Sequence, residues 1–442
     1  MMRTSLAVVL AAGEGKRMKS NLPKVMHPIG GLSMIGHVLK ALQTAKVDRI
    51  AVVVGPGDDK VAKAVAAHAR TATMHVQAER RGTADAVRAA RDALTKKADD
   101  VLVIFGDTPF VSAAAISSLR EKLATGASVV VGGMRPDNPH GYGRLIMQGD
   151  QLTAIREERD ASTSERKIGF VNGGLMGLAG ETALSILDAI ENKNDQKEFY
   201  LTDAAEIAHR RGLKVAAIEI PADDVIGIND RAQLAGAERM FQMKRRVEAM
   251  KEGATLIAPD TVFFAHDTTL GQDVVIEPNV VFGPGVTVAD NVTIRAFSHI
   301  EGASISPGAI IGPFARLRPG AKIGENAHIG NFVEIKAADV EEGAKINHLA
   351  YIGDARVGAK SNIGAGAITC NYSGVSKYKT DIGRNAFIGS NSALVAPVRI
   401  GDGAYVASGS VITEDVPSDA LAFGRARQVN KLGRAADKRK KE

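Results

Sequence analysis

The chain has no tryptophan, only 4% aromatic residues and a single cysteine. Cys370 alone cannot close an internal disulfide, so the fold must hold without covalent cross-links, and such usage fits a reducing cytoplasm. No run of about 18 apolar residues occurs, which excludes a membrane-spanning helix on the sequence reading. The opening MMRTSLAVVLAAGEG has a short apolar run ending in a glycine-rich turn, and it reads as a buried first strand, not a signal peptide. Excess charge is also scarce along most of the chain. The net +6 is concentrated between Asn430 and Glu442, where six Lys/Arg stand against two acids. That reads as a solvated, disordered basic tail; it implies no nucleic-acid surface and no membrane partner.

What the chain does have is length and glycine. At 442 residues it needs more than one core, and 46 glycines without a collagen period point to repeated tight turns. Strands are expected at Ser5–Leu10, Arg49–Val54, Val101–Phe105 and Ser128–Gly132, the first three almost wholly apolar, as strands covered on both faces should be. Helices are expected over Leu32–Lys46, Asp59–Arg70, Thr83–Thr95 and Ser112–Ala124. This alternation predicts a mostly parallel α/β sheet with ligands at the C-terminal strand ends. Arg231 to Glu252, free of proline and rich in charge, predicts one long helix of about 30 Å.

Beyond that helix a period of six begins. Apolar residues recur at Leu270, Ile276, Phe282, Val288, Ile294 and Ile300, again at Ile311, Leu317, Ile323, Ile329 and Ile335, and again from Ile382 to Ile412. An α-helix cannot hold this spacing, and frequent Gly and Pro argue against a flat sheet. About eighteen residues make one triangular coil, so the pattern predicts a parallel β-helix. Residues 336–356 and 369–381 break the period and are expected to leave the coil as loops, where function concentrates. The expected division is 1–228, a linker helix 229–252, and 253–442.

Leu10-Ala11-Ala12-Gly13-Glu14-Gly15-Lys16-Arg17-Met18 directly follows the first strand, and its backbone N–H groups can cradle phosphates, with Arg17 a fixed cation. It is neither a dinucleotide fingerprint nor a P-loop, and taken alone such a turn is as often structural. Lys24, in a segment that Pro23 stiffens, adds a second cation suited to a triphosphate, although taken alone it also reads as a solvated lysine. Asp107, just past the strand ending at Phe105, is well placed to hold Mg²⁺ on phosphates, although an aspartate here also caps turns. In the C-terminal half, His348 stands where the repeat is interrupted and could deprotonate an amine nucleophile, although a histidine here taken alone also reads as structural. Arg318 and Lys336 lie one coil apart, which would stack them as a cationic pocket for a sugar phosphate.

The Leu-Ala-Ala-Gly-x-Gly-x-Arg-Met turn, Pro23-Lys24-Val25 and Gly106-Asp107-Thr108-Pro109 resemble the sugar-nucleotide pyrophosphorylase family. With the β-helix behind them, the whole chain resembles the bacterial bifunctional N-acetylglucosamine-1-phosphate uridyltransferase/glucosamine-1-phosphate acetyltransferase family. The resemblance implies an α/β nucleotide-diphospho-sugar transferase fold, Rossmann-like, followed by a left-handed parallel β-helix of hexapeptide repeats. It implies UTP, acetyl-CoA, glucosamine 1-phosphate and N-acetylglucosamine 1-phosphate as substrates, Mg²⁺ as cofactor and a homotrimer. Leu10, Ala11, Ala12, Gly13 and Lys24 would contact the nucleotide, Gln77, Gly82 and Thr83 the uracil, and Gly143, Glu157 and Asn172 the amino sugar. Asn229 would join Asp107 on the metal. Arg17 and Lys24 would neutralise phosphate charge. In the β-helix, His348 would be the general base, Arg318, Lys336, Tyr351 and Asn362 would hold the sugar phosphate, and Lys377 would join these active-site contacts. Ala365, Asn371, Tyr372, Ser390, Ser408 and Arg425 would line the acetyl-CoA groove, with Lys377 beside it on the loop that carries Asn371 and Tyr372. The chain departs from the family pattern at Glu14 and Lys16, at Arg159, at Gly173 and at Ser408. Two rivals remain: a nucleotidyltransferase with a merely structural β-helix, and a non-catalytic scaffold.

Overall fold

The computed structural model describes residues 3–437 except 195, together with 439. The chain divides into two compact units, 1–238 and 239–442.

The first unit is built on one sheet whose strands lie in the order Val215–Glu219, Val129–Met134, Val171–Ala179, Asp100–Phe105, Ser5–Leu10, Arg49–Val54, Thr73–Val76. All are parallel except Val171–Ala179, which runs antiparallel to both neighbours, and a hairpin of Arg144–Gln148 with Gln151–Arg156 is attached to it. Strand Ser5–Leu10 is buried along its whole length. Its alternate residues feed two cores, Leu6, Val8 and Leu10 on one face and Ala7 and Val9 on the other. That is the period-two geometry of a strand covered on both sides.

The expected helices form with adjusted ends. Ser33 and Ser112 cap Met34–Thr44 and Ala113–Ala124 by accepting from Gly36 N and Ala115 N. Leu32–Ser33 is instead a short strand paired with Pro28–Ile29. The helix expected over Thr83–Thr95 breaks at Ala90 (φ −90°, ψ 23°) into Thr83–Ala89 and Arg91–Leu94.

In the second unit, the C-terminal part of helix Arg231–Lys251 closes the end of a β-helix. The buried Gln242 amide makes two 2.8 Å bonds to the Phe264 backbone, and Arg246 donates to Val262 O at 2.8 Å. These contacts satisfy backbone groups that an open edge would leave bare. Short parallel strands then form three sheets. One inward column runs Ile294, Ile311, Ile329, Ile346, Ile363, Ile388, Val406, and nearly all of it is fully buried.

Residues 336–356 do not leave the coil as the broken spacing suggests. Ile335 pairs with Ile352 and Val340 with Val357, so these coils are one residue shorter than the coil joining Leu317 to Ile335. The missing residue is absorbed at the corners between Ile335 and Val340 and between Ile352 and Val357, where Ala337 and Asp354 take left-handed conformations. The second break does leave the coil, over a narrower span than 369–381. Strand Ile368–Cys370 precedes it, Thr380–Ile382 follows, and residues 372–379 are all exposed. The basic tail contains a short helix, Arg434–Asp437, contrary to a wholly unstructured expectation; residues 438 and 440–442 lie outside the described residues.

Candidate active sites

Parallel register brings the phosphate-turn candidates to the C-terminal ends of neighbouring strands. Leu10 pairs with both Val53 and Phe105, so the segments after these strands emerge together. Ala11 and Ala12 are buried, whereas Gly13 is exposed with nothing within 4 Å of where a Cβ would sit. Gly15 has φ 63°, and a Cβ there would lie 2.7 Å from Lys24 Cβ, so only glycine lets the turn press against the lysine segment.

The Lys24 ammonium contacts the Asp107 carboxylate and lies 3.2 Å from Asn229 Oδ1, with Lys24 and Asp107 both largely shielded from solvent. Asn229 is itself held by its backbone N–H donating to Gln233 Oε1 at 2.7 Å, and Ile228 N donates to Asp107 O at 3.1 Å. The fold thus gathers three groups from distant parts of the sequence. One carboxylate and one amide oxygen converging on a single point are hard donors of the kind Mg²⁺ takes alongside phosphate oxygens. Among the described residues no cluster of three or more His, Cys, Asp or Glu could hold a metal by itself. Arg17 is exposed on the 3-10 turn Lys16–Met18 and pairs with no described residue.

The sugar and base candidates form a second group. Glu157, Thr83, Tyr200 and Thr202 line a pocket of about 580 Å³. Asn172 N donates to Gly143 O at 2.7 Å, and a Cβ on Gly143 would lie 3.5 Å from Glu157 Oε2. Burial raises the Glu157 pKa, while the Thr202 hydroxyl, donating at 3.1 Å, partly offsets it. Gly82 has φ 116° and packs on the Phe199 backbone, and Thr83 Oγ1 accepts from Leu201 N at 2.9 Å. Gln77 is buried and spends its amide donors inside the protein, on Gly82 O at 3.2 Å and Asp85 Oδ2 at 3.0 Å. Thr202 was not singled out from the sequence, which carries no motif to mark it.

In the β-helix the candidates fall on two adjacent faces joined by the Leu349–Ala350 corner. His348 ends strand Lys345–His348, and Asn362 stands one coil further on the same face. Asn331 pairs with His348 across the ladder, its Oδ1 2.7 Å from Nδ1. Asn331 also escaped sequence reading, though its place one coil before His348 was a usable signal.

On the other face Arg318 and Lys336 do stack on successive coils, Arg318 N donating to Ile335 O at 2.9 Å. Yet the pocket is not purely cationic, because Arg318 binds Glu334 at 2.8 Å and Lys336 lies 3.8 Å from Asp354. Like charges one strand spacing apart repel, and interleaved carboxylates relieve this. Asp354 also receives the Asn371 amide. Lys377, on the exposed loop, is brought beside Lys336, whose hydrogen bond and charge lower its pKa. Tyr351 pairs with Glu334 in the same ladder.

Ala365, Ser390 and Ser408 form one column: Asn391 N bonds Ala365 O and Gly409 N bonds Ser390 O, each at 2.8 Å. Gly364 and Gly389 lie so close to the next coil's backbone that a Cβ would overlap it, which leaves that strip free of side chains. Arg425 is exposed beside Gly409, and Tyr372 is exposed with its hydroxyl donating to Gly374 O at 2.6 Å.

A nucleotidyltransferase-type α/β unit followed by a hexapeptide-repeat left-handed β-helix defines a two-part transferase. Residues 7–168 match the MobA-like NTP transferase domain, and 267–302, 302–337 and 379–414 match the bacterial transferase hexapeptide (six repeats). The chain is 60% identical over 439 residues to the bifunctional protein GlmU of Brucella anthropi, covering 99% of this chain and 97% of that one. It is 55% identical over 435 residues to the protein of that name from Agrobacterium fabrum, covering 98% and 96%. Its identity to the one from Bartonella quintana is 52% over 435 residues, covering 98% and 97%. The chain belongs to the GlmU family. It is a bifunctional enzyme of UDP-N-acetylglucosamine synthesis, with uridyltransferase and acetyltransferase activities.

Proposed function

We propose that the β-helix acetylates glucosamine 1-phosphate with acetyl-CoA, and that the α/β unit then transfers UMP from UTP to the product, releasing pyrophosphate. The observation that carries the second half is the convergence of Lys24, Asp107 and Asn229 at the end of the parallel strands. Asp107 and Asn229 would hold Mg²⁺, which when bound neutralises triphosphate charge. Lys24 and Arg17 supply further positive charge, and Gly13 leaves the backbone open to a phosphate. Gln77, Gly82 and Thr83 hold the base, and Gly143, Glu157 and Asn172 hold the amino sugar.

In the β-helix, with Nδ1–H donated to Asn331, Nε2 of His348 takes the proton of the attacking amine. The amine forms the new C–N bond at the thioester carbonyl, the C–S bond breaks, and the departing thiolate takes up the proton. Arg318, Lys336, Tyr351 and Asn362 hold the sugar phosphate. Ala365, Asn371, Tyr372, Lys377, Ser390, Ser408 and Arg425 line the acetyl-CoA path. The exposed loop bearing Tyr372 and Lys377 favours a site completed between copies of the chain, and we read the assembly as a homotrimer. Among the described residues no helix is long and apolar enough to cross a membrane. The single cysteine, Cys370, is free and forms no disulfide, as suits a reducing compartment, and we place the enzyme in the cytoplasm.

Separate assays of CoA release and pyrophosphate release test this. Asp107→Ala should lose only pyrophosphate release, and His348→Ala only CoA release. Loss of both activities in either variant would overturn the two-site reading. A wild type that released no CoA with glucosamine 1-phosphate would favour a structural β-helix.

A further inference from the structure

Arg80 belongs to none of the contacts assigned above, yet its guanidinium joins three of the strand ends that build the nucleotide site. It stands four residues beyond Val76, the end of one strand. Its Nε donates to Ala12 O at 2.6 Å and its Nη1 to Glu14 Oε1 at 2.8 Å, both in the turn that follows Ser5–Leu10. Gly55, the first residue past Arg49–Val54, makes room for it. A Cβ there would sit 2.8 Å from Nη2. One planar fork thus fastens the glycine-rich turn to the segment Gln77–Thr83, a geometry that suits arginine and that lysine cannot reproduce.

Two physical consequences follow. In a trans peptide the carbonyl of Ala12 and the N–H of Gly13 point in opposite directions. Tying the carbonyl to Arg80 therefore aims the Gly13 N–H away from the clasp, toward the open side of the turn. Arg80 also bears on Glu14. Its carboxylate stands in a turn meant for anions, and it is shared between Arg80 and Lys16, the latter also at 2.8 Å. Compensated from both sides, Glu14 is tolerable beside a triphosphate. Uncompensated, it would repel one.

We infer that Arg80 is a positioning residue for UTP, which orients the phosphate turn through Ala12 and cancels the charge of Glu14. This rests on the reading that the turn holds the triphosphate. The test is steady-state pyrophosphate release with UTP varied, in the full-length chain, for Arg80→Ala, Glu14→Gln, the double variant and Arg80→Lys. CoA release in the same preparations reports that the chain is folded.

Arg80→Ala should raise KM for UTP about tenfold while kcat changes far less, since the guanidinium touches no reacting atom. Adding Glu14→Gln to Arg80→Ala should lower KM again, because the unscreened anion is gone. A purely structural role would make the two losses add. Arg80→Lys should fall between wild type and Arg80→Ala, and it carries the test should Arg80→Ala fail to fold. A KM for UTP unchanged in Arg80→Ala or Arg80→Lys, or raised further in the double variant, overturns the inference. Pyrophosphate release surviving Asp107→Ala would strike the underlying site reading instead.

Discussion

His348 shares its Nδ1 with Asn331, and the amide oxygen fixes both the tautomer and the plane of the ring. Asn331→Ala should therefore lower acetyl transfer by roughly ten- to a hundredfold through misplacement of Nε2, measured as CoA release, while Asn331→Asp, which keeps an acceptor, retains more. Pyrophosphate release should be unaffected in both. A different residue-scale effect concerns Asp203, at the start of helix Asp203–Arg210. Burial, then the nearby Glu206 and Glu157, push its pKa up to about 6, with Asp160 adding to the shift and Arg156 opposing it. A carboxylate whose folded pKa exceeds its unfolded value stabilises the fold fully below the unfolded value of 3.8 and loses that contribution as pH rises through about 6. Asp203→Asn should thus raise the unfolding midpoint at pH 8, and the gain should shrink toward zero by pH 4, read by thermal unfolding at both. A gain that grew at low pH would refute the assignment.

Among the elements, the coil of the β-helix imposes the tightest constraint on the acetyltransferase site. Each turn must place its backbone against the next at strand spacing, and Gly330 sits where a Cβ would overlap the Asn347 carbonyl, one residue before His348. Gly330→Ala should cost about 1–3 kcal/mol of stability in the second unit by overpacking, and it should depress CoA release far more than pyrophosphate release. Equal loss of both activities would show that the strain spreads beyond this coil. On a third face, charges alternate up the ladder as Asp339, Arg356, Asp381, Arg399. Arg356 binds Asp381 at 2.5 Å and Glu341 at 3.0 Å, so this face is a self-neutralised solvent surface.

For the whole molecule, the two units have separate cores, which is why each activity should respond to its own substitutions. The second unit also leaves apolar surface uncovered. Phe297, Phe314 and Phe332 stack on successive coils with centroids 5.0 and 5.1 Å apart, and Leu349 continues their column, all four at least 45% exposed. A continuous exposed apolar stripe is the kind of surface that the proposed homotrimer would cover. Light scattering should give the mass of three chains, and Phe314→Glu should lower it. A monomeric wild type would remove the trimer from the proposal.

Both architectures are legible in the amino-acid sequence, because their signals are local. Apolar runs mark strands buried on both faces, and a six-residue period admits only a β-helix. The sequence also marked Gly13, Lys24, Asp107 and His348, since each sits at a turn or strand end with a spacing that chemistry explains. What those groups touch is set by the folded arrangement. That Lys24 meets both Asp107 and Asn229, that Asn331 holds His348, and that Arg80 compensates Glu14 depend on strand order and register, which no neighbouring residue encodes. The same holds for 336–356. A lost residue shifts the period in the sequence whether the chain loops out or turns a tighter corner, and only the ladder pairing Val340 with Val357 shows that it turned.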